Sequence, residues 1–501
     1  MKTHEIESIT TKESLLSYCK ILAKKYDYIS EDLEKWIDKQ ELYWESVEDL
    51  DVCLEGLWSS YKRTKSYDAK YLTEHKRMFV YDVALAHYVC ILRDLRADNF
   101  TRSKKTTDKI AELLAAEERK GSIALLHFSY STSGDRFIDP YLITGSNIWI
   151  FKSLYAYMLH SGDLTHFNTI TGYVTKYLFP LQILDENHKV FGLIKAGYVH
   201  KSPTKYGYDI YDKIDEEPPL KTPVPLVVIE HSVNFVGLLR LMASVIDAYS
   251  IDSSIRDILE TRHAMTMQAI MRLARRENDK IYWPSAIKLD QADGVNWSYV
   301  VDHYTWLAAM FIGIDPQIEW DSINILMKDF TAQINSIEIK EMHDVKEIQF
   351  IDNRFAKGLI FFSPEHDDFY IDIDKKEEAK LASIIQPEAT AGGIISLYHF
   401  AVTTPDNAKR GQAAAFMAEL LEGLEIIHGN FKEIFNGQVM GMPYATRNIQ
   451  NYFTSLPSMA STATFFIALE TIRTGYRYFI GIPMPDGFDQ FANMEFQHIH
   501  V

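Results

Sequence analysis

Six segments of this chain are apolar around most of their circumference when written as helices, and this feature restricts the fold more than any other. A helix that is apolar on all sides is buried rather than amphipathic. The starts of the segments are separated by about 65 to 90 residues, which is room for an inner helix, an outer helix and two connections. The six segments are 80–92, 147–159, 232–246, 303–312, 391–402 and 459–472.

Segments with one charged face follow the first five of these apolar segments. They are 107–118, 164–178, 255–275, 322–334 and 411–427. Alternation of buried and amphipathic helices is typical of an inner ring of helices wrapped by an outer ring. Because five outer helices follow six inner ones, we expect a helix before residue 75 to complete the set. The sequence therefore predicts a mainly all-α protein, an (α/α)6 toroid of six helical hairpins.

A solenoid of paired helices is the main structural alternative, since its helices also alternate between buried and exposed faces. Helical solenoids repeat every 34 to 47 residues or so, which is shorter than the spacing in this chain. The spacing therefore favours the closed toroid.

The texture of the sequence predicts three regions. Residues 1–74 are a polar N-terminal helical extension with helices at 14–25 and 31–62, residues 75–480 are the toroid, and residues 481–501 are a C-terminal tail. Short strand-like pieces flanked by Gly, Pro and Asp predict β-hairpins on long loops. These pieces are 281–283, 347–351, 359–362 and 369–373.

Charge and cysteine content restrict the partners and the compartment. The net charge of -17 opposes binding to nucleic acid or to an anionic membrane. Cys19, Cys53 and Cys90 are too few for a disulfide framework in 501 residues. The N-terminus lacks the apolar run of a secretory signal, and no stretch reaches the roughly 18 apolar residues of a spanning helix. We therefore expect a cytoplasmic protein. Export by a route that needs no such signal remains an alternative.

Polar residues cluster at the starts of five inner helices. Four of these clusters contain a carboxylate, and the four carboxylates are Asp82, Glu230, Asp302 and Glu388. For any one position alone, capping of the helix is the better explanation. In a ring of parallel inner helices, however, all these starts meet at one end. Paired carboxylates there suit glycosidic hydrolysis, and crowding them in a partly dry cavity would keep one of them protonated near neutral pH.

Further residues in these clusters, together with Trp297 and with Tyr444 of the segment before the sixth inner helix, are candidates for binding a sugar. They are Asn147, Trp149, His231, Trp297, His303, Trp306 and Tyr444. Aromatic faces can stack on sugar rings, although core packing is an equal explanation for Trp149 and Trp306.

The sequence predicts neither a metal nor a cofactor. His231, His303 and His366 stand beside carboxylates, but no two histidines in the clusters have the i, i+4 spacing of a helical zinc motif. The acidic run at 364–368 is typical of a solvated turn. No Gly-rich phosphate loop or nucleophile elbow is present, and the Gly392–Gly393 pair indicates close helix packing.

Six short motifs, in this order, resemble those of a group of bacterial six-hairpin glycosidase-like proteins. They are Tyr-Asp-Val-Ala-Leu-Ala at 81–86, Thr-Gly-Ser-Asn-Ile-Trp at 144–149, Glu-His-Ser-Val-Asn at 230–234, Asp-His-Tyr-Thr-Trp at 302–306, Glu-Ala-Thr-Ala at 388–391 and Pro-Tyr-Ala-Thr at 443–446. Residues 457–463 also resemble the last inner helix of that group. Ala389 stands where the group has Gly, and the first 75 or so residues lie outside the resemblance.

The resemblance implies a carbohydrate-active enzyme, but the same ring serves hydrolases, lyases and epimerases, so the fold alone does not select the reaction. The leading hypothesis is a glycoside hydrolase that acts on an oligosaccharide or glycoside, with the four carboxylates as acids and bases. The alternatives are a non-catalytic binding or effector protein that holds a protein partner through the N-terminal helices, and a sugar epimerase or isomerase that uses His231 or His303 for proton transfer.

Overall fold

The computed structural model describes most of the chain. The described residues are 9, 11–43, 45–47, 51–61, 77–121, 123–132, 142–198, 223–251, 254–278, 280–291, 294–341, 344–363, 380–434, 441–449 and 453–481. The predicted strand at 369–373, the acidic run at 364–368 and nearly all of the predicted tail lie outside these residues.

Thirteen α-helices carry the described fold. They are α1 Lys12–Lys25, α2 Asp27–Lys39, α3 Val80–Ala97, α4 Thr101–Gly121, α5 Thr144–Ser161, α6 Phe167–Tyr173, α7 Ile229–Ala248, α8 Ile255–Arg272, α9 Val301–Phe311, α10 Pro316–Asp329, α11 Pro387–Thr403, α12 Asn407–Ile434 and α13 Met459–Thr474. The six apolar segments correspond to α3, α5, α7, α9, α11 and α13. A π-helical turn, Val174–Leu178, and a 3₁₀ turn, Phe179–Leu181, continue α6.

Fifteen short strands lie on the connections. They are β1 Ser46–Val47, β2 Val52–Cys53, β3 Arg77–Phe79, β4 Ser129–Ser131, β5 Leu142–Ile143, β6 Gly197–Tyr198, β7 Leu226–Val228, β8 Arg275–Glu277, β9 Lys280–Tyr282, β10 Ala286–Lys288, β11 Val295–Asn296, β12 Thr331–Ile334, β13 Ser336–Glu341, β14 Asp344–Gln349 and β15 Ala356–Leu359. Every pairing among them is antiparallel, in two-stranded ribbons apart from one three-stranded sheet of β11, β10 and β7.

The chain divides into two compact units. The first unit comprises Met1–Lys39, Arg275–Tyr282 and Trp297–Arg477, and the second comprises Gln40–Ala274, Trp283–Asn296 and Tyr478–Val501. In the second unit α5 packs against both α3 and α7, and in the first unit α11 packs against both α9 and α13. The three regions inferred from the sequence stay a prediction.

Two predicted helices were too long. The helix expected over 31–62 ends at Lys39 and gives way to the β1–β2 hairpin, in whose connection Asp51 has a positive φ of 51° that is incompatible with a helix. The helix expected over 322–334 ends at Asp329. There the Thr331 hydroxyl donates to the carbonyl oxygens of Leu326 and Met327, and the chain continues as β12.

The helices before residue 75 belong to the first unit and pack against its last apolar helix. Both α1 and α2 contact α13, which is the helix that lacked an outer partner in the sequence. Trp36 and Leu33 of α2 are buried. The Arg473 guanidinium near the end of α13 also donates to the Asp27 carboxylate at the start of α2. The expected packing of a helix from before residue 75 against the last inner helix, α13, is therefore present.

Helix α7 is long and apolar enough to cross a membrane by length and composition. However, 89% of its most apolar window is buried inside the protein, as in the core helix of a globular domain. Among the described residues it is the single helix that meets this test.

Candidate active site

The candidate carboxylates sit in the first turns of helices that begin at the end of a strand. In the second unit β3 runs directly into α3, β5 into α5 and β7 into α7. In the first unit Val300 pairs with Phe362 immediately before α9, and Ile385 pairs with Ile360 just before α11. Because the strand or bridge fixes where each helix begins, it also fixes the position of the carboxylate in the four helices that carry one, where it is the second or third residue.

Backbone groups take over the task of capping at these junctions. The first N–H of α3, at Val80, donates to the Phe128 carbonyl at 3.1 Å, and the first N–H of α7, at Ile229, donates to the Ser285 carbonyl at 3.1 Å. Equivalent bonds hold the first N–H groups of α5 and α9, at 2.8 and 2.9 Å. Helix α11 begins with Pro387, which has no N–H to satisfy.

The side-chain capping expected of the polar clusters is therefore not found at these five helices, although the first-turn carboxylates of four of them still favour the helix dipole. The N-cap residues are Phe79, Ile143, Val228, Val300 and Gln386, and within the described structure none makes a side-chain cap hydrogen bond. Of the six inner helices, α13 is the one whose described start is capped by a side chain. There the Ser458 hydroxyl accepts from the N–H of Ser461. Asp82, Glu230, Asp302 and Glu388 are the second or third residues of four of these helices, inside the first turn rather than at the N-cap position.

Asp82 is the most protected of the four carboxylates. Its residue is 5% exposed, and a hydrogen bond joins its carboxyl to the Ser60 hydroxyl. Burial raises the pKa of Asp82 to about 7, against a smaller lowering by Ser60. Ser60 also accepts from the N–H of Phe79 at 2.6 Å, so the same hydroxyl holds the end of β3. The carboxyl can thus keep its proton near neutral pH.

Glu230 is connected to a buried lysine through an amide. The Asn234 amide nitrogen donates to Glu230 Oε1, and Lys152 Nζ donates to Asn234 Oδ1 at 3.3 Å. The ammonium also lies 3.7 Å from the centroid of the Trp149 ring, close enough for a cation–π contact. Burial lowers the pKa of Lys152 to about 7, and the charge of Glu230 opposes that shift.

His231 lies beside the same carboxylate. Its Nε2 is 3.8 Å from Glu230 Oε2, its residue is 8% exposed, and burial lowers its pKa to about 4. The imidazole is therefore neutral at physiological pH. Its ring presses on Gly145, where an added Cβ would lie 2.4 Å from His231 Cδ2.

Trp149 and Asn147 are core residues of the second unit. Trp149 is 2% exposed and its ring contacts Tyr81, Tyr88 and Phe479, with centroid separations of 5.6, 6.5 and 5.1 Å. Asn147 is fully buried, and its amide ties α5 to Leu126 through bonds of 2.7 and 2.9 Å to the backbone. Both residues build the wall of the site rather than offer a surface to a sugar.

The first unit holds Asp302 and His303 in the first turn of α9. Asp302 keeps part of its surface accessible, and desolvation raises its pKa to about 6. His303 is buried, which lowers its pKa to about 4. Trp306, one turn later, packs against Gly392 of α11, so close helix packing explains both this tryptophan and this glycine. Glu388 is partly exposed in the first turn of α11.

Trp297 and Tyr444 are the partly exposed aromatic candidates. The Arg275 guanidinium lies 5.6 Å from the centroid of the Trp297 ring. Tyr444 stacks on Phe453 with a centroid separation of 6.3 Å. Arg447 fixes this loop, because its guanidinium donates to Glu347 at 3.3 Å. These rings can still offer area to a sugar.

In the second unit Glu230 lies beside His231 and is linked through Asn234 to Lys152, whose ammonium lies over the Trp149 ring. Asp82 follows Tyr81, whose ring touches Trp149. Lys152 and Ser60 belong to this group without having been identified from the sequence. Asn234 was visible as part of the 230–234 motif, whereas a single lysine in an apolar helix and a serine outside every motif gave no signal. Across the described ranges, no group of three or more His, Cys, Asp or Glu side chains is placed to hold a metal ion.

No protein-family model matches the chain, and no curated protein matches it. Solved structures do. A D-mannose isomerase is similar with a TM-score of 0.52 and 11% identity, over 91% of this chain and 98% of that one. A glucoamylase from Saccharomycopsis fibuligera is similar with a TM-score of 0.49 and 10% identity, over 93% of this chain and 96% of that one.

At such low identity the likeness shows the fold and leaves the reaction to the site. The likeness to the D-mannose isomerase covers nine tenths of this chain. It confirms the predicted fold class, a mainly α-helical (α/α)6 toroid.

Proposed function

We propose that this protein is a glycoside hydrolase that acts on an oligosaccharide or glycoside through carboxylates in the first turns of its inner helices. The observation that carries the proposal is the contrast between Asp82 and Glu230. Asp82 is buried and has a pKa raised to about 7, whereas Glu230 is connected to the ammonium of Lys152. A carboxyl that holds its proton to unusually high pH, and a second one linked to a cation, are the contrast that divides acid from base in this reaction.

The chemistry uses one proton donor and one carboxylate. The acid gives its proton to the glycosidic oxygen as the bond from that oxygen to the anomeric carbon breaks. The carboxylate takes a proton from the water that attacks the same carbon, or first bonds to that carbon and is displaced by water. Either route consumes one water, releases one hemiacetal and one alcohol, and needs no other reactant.

The first unit supplies a second pair of candidates. Asp302, with a pKa raised to about 6, is a further possible acid, and Glu388 is a partly exposed carboxylate. The rings of Trp297 and Tyr444 are exposed enough to stack on a sugar. We therefore keep all four carboxylates as catalytic candidates in the test.

The test is hydrolysis of a panel of aryl glycosides and oligosaccharides, read as released aglycone or new reducing ends. We expect Asp82→Asn and Glu230→Gln each to lower kcat by about 100-fold or more, since acid–base groups contribute that much. Asp302→Asn and Glu388→Gln are measured on the same panel. Asp98→Asn is the matched control for Asp82→Asn. Asp98 is the residue after the end of α3, the helix that carries Asp82, and its left-handed conformation is one that Asn also tolerates.

Full activity in all four carboxylate variants would overturn the proposal. So would the absence of hydrolysis of every substrate by the folded wild-type protein, a result expected of a non-catalytic binding protein. Circular dichroism and thermal unfolding of each variant separate loss of chemistry from loss of fold.

A sugar isomerase or epimerase is the second candidate, and two buried neutral imidazoles favour it. The Nδ1 atoms of His231 and His303 make no hydrogen bond in the described structure, and burial lowers the pKa of both side chains to about 4. A neutral imidazole can transfer protons. Interconversion of free aldoses and ketoses that survives in Asp82→Asn but is lost in His231→Asn or His303→Asn would favour this reaction over hydrolysis.

A further inference from the structure

Helix α5 buries a lysine that the hydrolytic scheme does not use. Lys152 is 1% exposed, in a helix whose other inward residues are largely apolar. Removing an ammonium from water costs several kcal/mol unless other groups compensate for the lost hydration. A lysine kept at such a position therefore needs a partner, and its partner indicates its role.

The compensation comes from Asn234, and the direction of its two hydrogen bonds is fixed. An ammonium can only donate, so the Asn234 carbonyl oxygen faces Lys152 at 3.3 Å. The amide nitrogen then faces Glu230 Oε1, which accepts. The carbonyl end of the Asn234 amide thus stabilises the charged form of Lys152, and the N–H end stabilises the charged form of Glu230.

The groups around the ammonium come from three elements. Helix α7 contributes the Asn234 amide and the charge of Glu230, α5 contributes the Trp149 face at 3.7 Å, and the 478–480 turn contributes the Phe479 ring, with a centroid 5.9 Å from Nζ. Among the described residues, Glu230 is the charged group that acts on Lys152.

Asp82 has no such partner. In the described structure its carboxyl is influenced by burial and by the neutral Ser60 hydroxyl, and no cation acts on it. Two carboxylates of one unit are thus in opposite environments, one linked to a cation through an amide and one buried against a neutral hydroxyl. This is the condition that divides the roles of acid and base in a pair.

We propose that Lys152 is a positioning residue that holds Glu230 ionised and in place through the amide of Asn234, so that Glu230 is the carboxylate and Asp82 the acid of the reaction. This inference rests on the proposed function for its chemical roles, but the coupling between Lys152 and Glu230 stands without it. Lys152 is 1% exposed, and it acts on Glu230 through Asn234.

The first experiment measures the coupling without any substrate. Ordinary lysines titrate near pH 10.4, so a lysine 13Cε resonance that titrates near pH 7 is easily recognised in protein labelled at lysine. Lys152→Arg assigns the resonance by removing it. We expect Glu230→Gln and Asn234→Leu each to move its midpoint down by about one pH unit or more, because each removes a group that stabilises the ammonium.

An unchanged midpoint in Glu230→Gln and Asn234→Leu would overturn the inference. The absence from the wild-type protein of any lysine that titrates near neutrality would also overturn it. The two variants remove different groups, so a folding defect in one leaves the other to decide.

The second experiment uses the pH profile of kcat/KM for hydrolysis. We expect Lys152→Met to move the acidic limb to higher pH by about one unit, and so to lower kcat/KM about tenfold at pH values below the limb, because Glu230 loses its cation. Lys152→Arg should restore the position of the limb, which a merely structural role would not require. Lys104→Met, at an exposed ion pair with Asp163, should leave the limb where it is.

The two experiments separate the two claims. Coupling in the resonance without any hydrolysis would reject the proposed function and keep the Lys152–Glu230 link. Hydrolysis that depends on Glu230, with an acidic limb unmoved by Lys152→Met, would keep the function and reject the role of Lys152.

Discussion

Gly145 shows how little space the second unit leaves around its candidate imidazole. An added Cβ would lie 2.4 and 2.6 Å from two atoms of the His231 ring, which is closer than real Cβ contacts come. The ring would have to shift to admit a Cβ at residue 145, and its Nε2 lies only 3.8 Å from Glu230 Oε2. The absence of a side chain at Gly145 thus sets the position of His231.

Gly145→Ala should therefore disturb the site at a single residue. We expect it to lower activity by about tenfold or more and to destabilise the fold by roughly 1–3 kcal/mol, the range for overpacking a dense core. Gly172→Ala is the control, because an added Cβ there would meet nothing within 4 Å. Kinetics and urea unfolding of both variants check the expectation, which fails if the two behave alike.

At this scale the sequence predicted positions better than roles. Asp82, Glu230 and His231 were identified because polar residues stood beside apolar helices, and all three lie in the second unit's candidate site. Trp149 was also identified, but its ring is packed in the wall. Lys152 was missed, because a lysine in an apolar run has no pattern that tells a buried ammonium from one that reaches solvent.

At the scale of elements, helix α12 lies directly on the strand β15. At Gly423 an added Cβ would lie 1.7 Å from the Lys357 carbonyl oxygen, which is a backbone atom of β15. Six residues further along the same helix, at Gly429, an added Cβ would meet nothing within 4 Å. One glycine is needed for the packing of helix on strand, and the other is not.

Gly423→Ala should force α12 away from β15 and cost at least about 2 kcal/mol in the free energy of unfolding. Gly429→Ala should instead stabilise the helix by about 0.5–1 kcal/mol, since alanine loses less backbone entropy than glycine. Urea unfolding followed by circular dichroism measures both. Equal effects of the two substitutions would show that α12 does not approach β15 this closely.

Among elements, the sequence predicted the long apolar helices well and the short strands poorly. A helix that is apolar on all sides is visible over a dozen or more residues, and all six predicted inner segments are helical. Strands β3, β5 and β7 have two or three residues each, which is too few for an alternating pattern. The direct entry of these strands into helices was therefore not predicted.

Across the whole molecule, neutral buried histidines should make stability depend on pH. Burial lowers the pKa of several histidines to between about 3 and 4; they are His87, His160, His231, His303 and His399. In the unfolded chain they titrate near 6.5. Their contribution is complete above pH 6.5 and is lost as the pH falls toward 4, because only the unfolded chain then binds the protons.

We expect the free energy of unfolding to fall between pH 7 and pH 5. Asp82, Asp302 and Glu319, whose pKa values burial raises, act in the opposite direction but are fewer than the histidines. His399→Leu should reduce the slope below pH 6 by about 1.4 kcal/mol per pH unit, the value of one proton. Denaturant unfolding at several pH values measures the slope, and His188→Gln is the control. A slope unchanged in His399→Leu would contradict the expectation.

At the junctions of strand and helix, the groups that anchor the helix start differ from the side chains that could take part in chemistry. At Val80, Thr144, Ile229 and Val301 a neighbouring backbone carbonyl accepts the first N–H of the helix. The helix starts are therefore held by backbone atoms, which every substitution other than proline at the donor leaves in place. Side chains in the first turns can change without loss of the bond that anchors the turn, so one scaffold can acquire different reactions while its helices keep their places.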